Sequence, residues 1–383
     1  MRKAYAMPKK SLLLISFTAL HNDPRPHKQI LALREHFTIT EVALAPSPYA
    51  ERFIQLTYIP KSRPWQKITR LFHLLLGNMR PYNARYAWAF EQELAQEHFD
   101  LVIVHDIDLA PLAFRLAGTT PVLFDLHEYL PRQYENDWRW KLLFQRGIYS
   151  LCRDYLPKGS AWLTVSEPIA SEYAREFGIQ PLVTYNAPMY CALQPSPVIP
   201  SRIRLLHHGC CARGRSLEGM LELMQKLDKR FELHLYLVGK GAYYEAFKRR
   251  AQNVPRVIWH DPVPMSKLAG EINKYDIGLF MLPANTFNHD QAMPNKLFEF
   301  IQGRLLTAVW PTRGMKHIID AYKTGFYTTE FSVDQMAARL MALTAEEIAV
   351  FKRNSHAAAH ILTGERSVEK IRELALSLVE NAK

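Results

Sequence analysis

Short apolar runs alternate along the chain with longer stretches in which apolar residues recur at helical spacing. In the first half, the runs that predict β-strands are Ser11–Phe17, Thr40–Leu44, Leu101–His105, Pro121–Asp125, Ala161–Ser166 and Pro181–Tyr185. Between the first two strands, apolar residues at Ile30, Leu31, Leu33 and Phe37 predict a helix. Such alternation is typical of parallel sheets whose strands are joined by crossover helices.

The pattern stops between Ala187 and Pro200, a segment with four prolines, and then starts again. The strands predicted after it are Arg202–His207, Phe231–Val238, Val257–His260, Ile277–Met281 and Leu305–Trp310. We therefore predict an α/β protein with two doubly wound, Rossmann-like domains facing a central cleft. The predicted boundaries are 1–188 for the first domain, 189–200 for a linker, 201–366 for the second domain and 367–383 for a C-terminal amphipathic helix. Ligands of such sheets bind at the carboxyl ends of the strands.

The chain has 383 residues and a net charge of +11. The length fits two domains, and the charge indicates a polyanionic partner such as anionic lipid, nucleic acid or a nucleotide. Four cysteines, Cys152, Cys191, Cys210 and Cys211, lack zinc spacing and favour a reducing, cytoplasmic setting. No Gly-x-Gly-x-x-Gly follows the first strand, which argues against a nicotinamide or flavin site.

Basic residues near the N-terminus precede the apolar stretch Leu12–Leu20, and this arrangement fits two interpretations. One is a signal peptide. The other, which we favour, is a first β-strand, because Ser16 and Thr18 interrupt the stretch and no small-x-small cleavage site follows it. No window of the sequence reaches the roughly 20 apolar residues that a membrane-spanning helix needs.

Residues 294–299, Pro-Asn-Lys-Leu-Phe-Glu, follow a predicted strand and open a helix that ends near Gly303. A proline suits the first helical turn, and the amides of Asn295 and Lys296 then point out of a helix N-terminus, which favours an anion. Lys296 adds a positive charge, and Glu299 can accept hydrogen bonds from sugar hydroxyls. These groups fit a diphosphate with a ribose beside it. The alternative is an ordinary capped helix with a solvated lysine and glutamate.

Arg213 and Arg215 lie in the loop after the strand Arg202–His207, which begins at His208 and Gly209. Glycine lets the backbone approach a ligand closely, and the guanidinium fork of arginine matches phosphate oxygens. This loop and residues 294–299 are both predicted at carboxyl ends of strands in one sheet, so we expect them to share a site. The alternative is a solvated basic turn.

Asp125, His127 and Glu128 follow the fourth strand of the first domain. They predict a polar site that faces the cleft, or a structural histidine bonded to a backbone carbonyl. Zinc is not expected, because no suitably spaced partners occur.

Two further groups follow strands of the first domain. Asp106 and Asp108 form an Asp-x-Asp pair that can hold Mg²⁺ or Mn²⁺, although we favour capping of the next helix by Asp108. After the first strand, Arg25 can reach an anion in the cleft, and Asp23 can cap the following helix.

Residues 52–90 hold seven Lys or Arg and no Asp or Glu. Apolar residues in this segment fall on one helical face with basic residues close by: Trp65, Ile68, Leu71, Phe72 and Leu75, with Lys61, Arg63, Lys67 and Arg70. A second such stretch, Trp138–Lys158, carries Arg139, Trp140, Lys141, Leu143, Phe144, Arg146 and Arg153. Basic amphipathic helices with tryptophan are typical of segments on a membrane surface. We favour an anionic membrane over a core-packing helix with a solvated basic rim, and we expect no nucleic acid partner.

In their order and spacing, these motifs make the chain similar to GT-B fold glycosyltransferases of the large retaining group called glycosyltransferase family 4, or glycosyl transferases group 1. In the first half, the resemblance rests on Phe99–Asp106, Phe124–Tyr129, Thr164–Ser166 and Tyr185–Pro188. In the second half, it rests on His208–Gly209 with Arg213–Leu217, on Val238–Gly241, on Asp276–Leu279 and, most specifically, on Pro294–Phe300.

The resemblance implies a nucleotide-sugar donor, a UDP- or GDP-sugar, that the second domain holds without a metal or another cofactor. By the family motif, Glu299 binds the donor ribose, Arg215 and Arg213 bind the diphosphate, and His127 contacts the transferred sugar. The remaining residues implied in donor binding are Gly209, Asn295, Lys296, Leu297, Phe298 and, through its backbone at the base, Val263.

Two positions depart from the family pattern. The family often carries Glu-x7-Glu, and the first of these glutamates falls at Gln291 here. Glutamine can hydrogen bond to sugar hydroxyls but cannot supply a negative charge. Cys210 stands where relatives often place an arginine, which leaves the phosphates to Arg213 and Arg215.

The implied reaction is the transfer of a hexose from a nucleoside diphosphate sugar to an acceptor hydroxyl with retention, and His127, Glu299, Arg215 and Lys296 are the candidate catalytic residues. Together with the basic helices, this predicts a peripheral protein on the cytoplasmic face of the plasma membrane. Its acceptor would be a saccharide or a lipid-linked saccharide in bacterial surface polysaccharide or lipopolysaccharide synthesis. Two alternatives stay open: a nucleotide-sugar epimerase, and a non-catalytic partner subunit, for which Gln291 is the argument.

Overall fold

The structure, a computed structural model, describes residues 9–56, 64–79, 89–94 and 96–382, with the backbone alone for 64–66 and 89–90. The chain divides into two compact units. The first contains Met1–Tyr185, Thr286–Asn288 and Arg366–Lys383, and the second contains Asn186–Asn285 and His289–Glu365. Each unit is built on a parallel sheet, as the alternating pattern predicted.

The described residues of the first unit form one sheet in the order β3-β2-β1-β4-β5-β6-β7, and its paired strands are parallel. The strands are β1 (Lys10–Ile15), β2 (Phe37–Ala43), β3 (Arg52–Gln55), β4 (Leu101–Val104), β5 (Val122–Leu126), β6 (Ala161–Thr164) and β7 (Leu182–Val183). β1 lies between β2 and β4, and Leu12–Ile15 are fully buried, which confirms the strand interpretation of this apolar stretch. β3 was not predicted. The helix predicted through Phe37 ends earlier, at Leu33. Phe37 is instead the first residue of β2, and its side chain is buried in the core.

Helices connect these strands. They are α1 (Pro24–Leu33), α2 (Pro64–Leu75), α3 (Ala89–Leu94), α4 (Ala110–Ala117), α5 (Trp138–Trp140), α6 (Arg146–Tyr155) and α7 (Glu167–Phe177), with a π-helical turn at Lys141–Gln145 between α5 and α6. Asp23 caps α1 as predicted, since its carboxylate accepts a hydrogen bond from the amide of Arg25.

The second unit has a sheet in the order β10-β9-β8-β11-β12-β13 across its described residues, with paired strands parallel. Its strands are β8 (Ile203–Cys210), β9 (Phe231–Val238), β10 (Val257–His260), β11 (Ile277–Phe280), β12 (Leu306–Val309) and β13 (Gly325–Tyr327). Its helices are α8 (Leu217–Lys226), α9 (Ala242–Gln252), α10 (Met265–Ile272), α11 (Phe287–Asp290, shared with the first unit), α12 (Asn295–Gln302), α13 (Arg313–Tyr322), α14 (Val333–Met341) and α15 (Ala345–Ala359). β13 extends the sheet beyond the last predicted strand.

The last helix, α16 (Gly364–Asn381), supplies apolar residues to the first unit. Ile371, Ala375 and Val379 are buried in the same core cluster as Leu12 and Leu14 of β1. The segment 189–200, predicted as a linker, lies within the second unit, where Ser196 Oγ accepts a hydrogen bond from the Lys352 ammonium group and donates one to a backbone carbonyl.

The two basic segments behave differently. Ile68 and Phe72 of α2 are exposed, so this face of α2 does not pack into the core. Trp65, Lys61 and Arg63 lie outside the residues whose side chains the structure describes. In the second segment, Trp140 and Phe144 pack against the first unit's core, so the membrane interpretation does not hold for them. No helix in the described parts of the chain is long and apolar enough to cross a membrane.

Candidate active site

The strand order of the second sheet reverses beside β8, because the chain builds β9 and β10 on one side of it and then β11 on the other. Open parallel sheets bind ligands at the carboxyl ends of strands at such a reversal. Gly209 lies at the carboxyl end of β8, and α12 follows β11. The topology therefore brings together the two segments that the sequence predicted to share a site.

Lys296 of α12 lies against the backbone at the end of β8. Gly209 has a φ of +114°, and a Cβ there would come within 2.6 Å of Lys296 Nζ. Glycine alone leaves room for the ammonium group and accepts this φ without strain. Lys296 Nζ also lies 5.2 Å from the centre of the Phe280 ring.

Positive charge is concentrated around Lys296. Burial first, and then the charge of Arg215, lower the pKa of Lys296 to about 8, while Glu299 opposes the shift. The ammonium group is thus charged at neutral pH but only partly compensated. An anion bound beside it would restore the balance of charge.

Two buried histidines of β8 add no positive charge to this cluster. Burial and the charge of Lys296 lower the pKa of His207 to about 3, and the neutral ring donates from Nδ1 to the carbonyl oxygen of Leu279 at 2.9 Å. The same causes hold the pKa of His208 well below its usual range. Glu299 Oε2 lies 3.4 Å from His208 Nε2, so a neutral imidazole leaves the charge of this carboxylate in place.

Helix α12 begins one residue later than expected. Pro294 is the N-cap, with extended backbone, and Asn295 is the first helical residue. The amide of Leu297 donates to the carbonyl of Pro294 at 3.0 Å. The side chains of Leu297 and Phe298 are buried in the core, so these two predicted donor-binding residues could take part through their backbone alone.

Gln291 is buried beside an acidic residue, Asp290, that was not among the predicted site residues. Its Nε2 donates to Asp290 Oδ2 at 3.1 Å. The Asp290 carboxylate also accepts from the amide of Arg313 at 3.1 Å and from its guanidinium Nε. A carboxylate therefore does stand next to the position where the family often has glutamate, but Arg313 neutralises it.

Arg213 contacts an aromatic ring of the second unit, and Val263 follows a different strand from Gly209. The guanidinium group of Arg213 lies over the ring of Tyr243, 4.7 Å from its centre. Val263 lies in the loop between β10 and α10, two strands from β8, which corresponds to about 10 Å at the usual strand spacing. Of the two predicted phosphate-binding arginines, Arg215 is the one whose charge acts on Lys296.

In the first unit, Asp125 at the end of β5 is fully buried and closely surrounded by donors. Arg25 Nε lies 2.8 Å from both of its carboxylate oxygens, and Arg25 Nη2 lies 2.6 Å from Oδ1. Gln29 donates to Oδ2, and the guanidinium also binds Thr184. The prediction that Arg25 reaches an external anion is wrong, because it is itself buried and its anion is Asp125.

His127 extends this buried ion pair towards solvent. Its Nε2 lies 3.4 Å from Asp125 Oδ2 and 3.1 Å from His105 Nδ1, and 32% of its side chain is exposed. Burial favours the neutral ring, but the negative charge of Asp125 outweighs it and raises the pKa of His127. Burial lowers the pKa of His105 to about 3, which leaves that ring neutral and able to accept from His127. The structure thus positions His127 through Asp125 and His105.

His105, Asp125 and His127 can each present one metal-ligating atom, with these atoms within 4.8 Å of one another. Arg25 already provides the cation for Asp125, and a metal ion would add a like charge beside that guanidinium. We therefore interpret the group as a charge-paired cluster. The expectation that the protein needs no metal stays a prediction.

Asp106 and Asp108 take different roles. The Asp106 carboxylate accepts from the amide of Phe17 at 2.8 Å and so ties the loop after β1 to the end of β4. Asp108 lies inside a short 3-10 turn, and Leu109 is the N-cap of α4 without a side-chain bond. The capping predicted for Asp108 is therefore wrong, because the extra turn moves the start of the helix past it.

Comparisons of the sequence agree with this arrangement. The model of Glycosyltransferase Family 4 matches residues 32–187, and that of Glycosyl transferases group 1 matches residues 204–346. A comparison with proteins of curated function finds no match.

Solved structures share the whole fold at low identity. Sucrose-phosphate synthase from Thermosynechococcus elongatus is 14% identical with a TM-score of 0.70, covering 97% of this chain and 100% of its own. Anabaena Alr3699/HepE in complex with UDP and glucose is 12% identical with a TM-score of 0.68, covering 97% and 100%. The E. coli trehalose-6-phosphate structure bound with UDP-2-fluoro glucose is 11% identical with a TM-score of 0.64, covering 96% and 98%.

The two sheets, the order of the motifs along them and the two family matches agree. The chain belongs to the GT-B glycosyltransferases of the family 4, group 1 type.

Proposed function

We propose that this glycosyltransferase moves a hexose from a nucleoside diphosphate sugar to an acceptor hydroxyl with retention at the anomeric carbon. The observation that carries the proposal is the partly compensated positive charge of Lys296 and Arg215 against a glycine backbone, at the strand-order reversal of the second sheet. A diphosphate supplies two negative groups of the size that such a position accommodates.

The roles of the residues follow from their charges. Arg215 and Lys296 stabilise the diphosphate as it leaves and gains negative charge. The Glu299 carboxylate accepts hydrogen bonds from the donor ribose. The acceptor proton passes to the leaving phosphate, so no protein side chain is assigned as the base. The family motif assigns His127 to the transferred sugar, and Asp125 keeps it oriented and able to donate a hydrogen bond.

We propose a UDP-sugar as the donor before a GDP-sugar, since two of the similar structures carry UDP or a UDP-sugar analogue. For the acceptor we propose a growing surface polysaccharide or lipopolysaccharide held at the inner face of the plasma membrane. The support for this acceptor is the net charge of +11 and the basic segment 52–90.

The first experiment is a thermal-shift series with UDP-, GDP-, ADP-, CMP- and dTDP-sugars and their free nucleotides. A ligand at about 100 times its dissociation constant adds roughly 2.7 kcal/mol to the free energy of unfolding. We expect a shift with the UDP series, and loss of that shift in Glu299→Ala. A folded sample that responds to none of the nucleotides contradicts the proposal and favours the non-catalytic partner subunit.

Turnover experiments distinguish a transferase from an epimerase. An epimerase consumes the donor sugar without an acceptor and releases an isomer of it, whereas a transferase releases free nucleotide when an acceptor is present. We expect EDTA to leave the reaction unchanged. Loss of activity in EDTA, recovered with Mn²⁺ or Mg²⁺, would contradict the metal-free mechanism.

A further inference from the structure

Helix α2 places large apolar side chains in solvent. Ile68 is 70% exposed and Phe72 is 61% exposed, and Leu71, Leu75 and Leu76 are also exposed. On the same helix Leu74 is buried in the first unit's core, so α2 is attached to the protein by its other side. Five large apolar side chains exposed together on this helix and directly after it mark an interaction site.

A second segment extends this surface. Helix α2 packs on the π-helical turn Lys141–Gln145. Just after α2, a Cβ at Gly77 would come within 2.8 Å of Arg146 Cγ, at the start of α6. Trp138 and Leu142, in and beside that turn, are 68% and 56% exposed. We call the seven exposed residues the apolar ridge: Ile68, Leu71, Phe72, Leu75, Leu76, Trp138 and Leu142.

Basic residues flank the ridge on both segments, and nearby acidic residues are engaged within the protein. The basic residues are Lys67, Arg70, Arg139, Lys141 and Arg146. Glu135 pairs with Arg132. Asp137 accepts hydrogen bonds from the amides of Arg139 and Trp140 at the start of α5. The rim of the ridge therefore presents a net positive charge.

We propose that the apolar ridge and its basic rim bind the surface of an anionic lipid bilayer. Aliphatic and tryptophan side chains enter the boundary between headgroups and acyl chains, while lysine and arginine contact the negative headgroups. A nucleic acid fits less well, because aliphatic side chains offer no stacking faces for bases. A protein partner would need an acidic surface with a matching apolar groove, and it is an outcome that the test below distinguishes.

The proposal deepens the proposed acceptor, since a bilayer-bound enzyme meets a lipid-linked saccharide in the plane of the membrane. It rests on the proposed function only for that acceptor. Binding of the full chain to vesicles requires no donor and no turnover, so the two proposals can fail separately.

The test is co-sedimentation of the full-length protein with vesicles of phosphatidylcholine alone and of phosphatidylcholine with phosphatidylglycerol. We expect binding to the anionic vesicles that weakens at least tenfold without phosphatidylglycerol and falls with added salt. Ile68→Ser with Phe72→Ser should weaken binding to the anionic vesicles thirtyfold or more, because two apolar side chains that the bilayer would bury are lost. Both side chains are exposed, so folding should survive, and the melting temperature of the variant without any ligand reports on it.

Matched controls lie on other surfaces. Met265→Ser with Val350→Ser changes two exposed apolar residues of the second unit, and Lys229→Glu with Lys370→Glu changes two exposed lysines. We expect both to bind vesicles as the wild type does, whereas Lys67→Glu with Arg70→Glu should bind at least tenfold more weakly. Wild-type protein that binds neither kind of vesicle overturns the proposal. So does a self-associated wild type that Ile68→Ser with Phe72→Ser renders monomeric without any change in vesicle binding.

Discussion

The Asp125 cluster of the first unit and the Lys296 cluster of the second unit differ in how fully their buried charges are compensated. Asp125 is buried with Arg25 on its two oxygens, and Gln29 and His127 satisfy what remains. Lys296 is partly buried, with the charge of Arg215 nearby and the Glu299 carboxylate as its main opposing charge. Both clusters follow parallel strands, yet the first is neutralised internally and the second is not.

The difference indicates two roles. The compensated cluster positions another side chain, and the partly compensated cluster binds an anionic ligand. A buried ion pair that is fully hydrogen bonded holds its partners rigidly, and in the first unit it orients His127. A buried cation without a full counter-charge costs stability in the free protein, and a bound anion removes that cost. On this argument, changes to the first cluster should act on stability, and changes to the second on donor affinity.

The largest effect expected is that of Asp125→Asn on stability. The variant leaves Arg25 buried without its counter-charge, which costs about 3–5 kcal/mol in the free energy of unfolding. Chemical denaturation measures it. The control is Glu346→Gln, which breaks an exposed ion pair with Arg353 and should cost less than about 1 kcal/mol. Equal losses in the two variants would remove the distinction between the clusters.

Lys296→Met should act in the opposite direction on the two properties. We expect donor affinity to fall about thirtyfold or more, roughly 2 kcal/mol, because a charged hydrogen-bonding group is lost from the diphosphate. The free protein should gain about 1 kcal/mol, since a partly compensated buried charge is removed. Calorimetry and denaturation measure the two quantities. Lys229→Met, at an exposed lysine, is the control, and a destabilised Lys296→Met protein would contradict the account.

Gly209→Ala tests the close approach of Lys296 to the backbone. The new Cβ would displace the ammonium group, and the φ of +114° would strain the chain. We expect donor affinity to fall about tenfold, roughly 1.4 kcal/mol. Gly241→Ala has a φ of +89° with no atom within 4 Å of the new Cβ, so it incurs strain alone. If both variants bind the donor equally well, Lys296 does not depend on Gly209.

The smallest effect near neutral pH is a pH dependence of donor binding. The pKa of Lys296 is about 8 in the free protein, and a bound diphosphate favours the charged form and raises it. Binding should therefore be constant below pH 8 and weaken as the pH rises above it, by at most about tenfold per pH unit. Titration calorimetry from pH 7 to 9.5 measures this. Lys296→Met should show no such slope, and a wild type without the slope would contradict the assignment.

The sequence predicted most of the sheet strands because buried parallel strands are continuous apolar runs, as β1 and β4 show. It missed β3, whose residues are only partly buried, and β13, which is three residues long. It placed Lys296, Gly209 and Glu299 together because motif position and strand order decide which segments meet.

It could not tell which charges would be paired. Arg25 and Asp125 are 100 residues apart, and nothing in either local sequence indicates the contact. The same holds for Gln291 with Asp290 and Arg313, where an adjacent acidic residue was the available signal. Protonation states such as the neutral His207 and His208 depend on burial, which periodicity indicates for a strand but not for each ring.

The return of α16 to the first unit has a consequence for synthesis on the ribosome. The first sheet is translated early, but Ile371, Ala375 and Val379 of α16 complete its core cluster, and they follow the whole second unit in the sequence. The nascent first unit must therefore wait with Leu12 and Leu14 incompletely covered until α16 has been synthesised and has left the ribosome. A chain released without its last helix would expose that face, and in the cell it would be a substrate for chaperones and proteases.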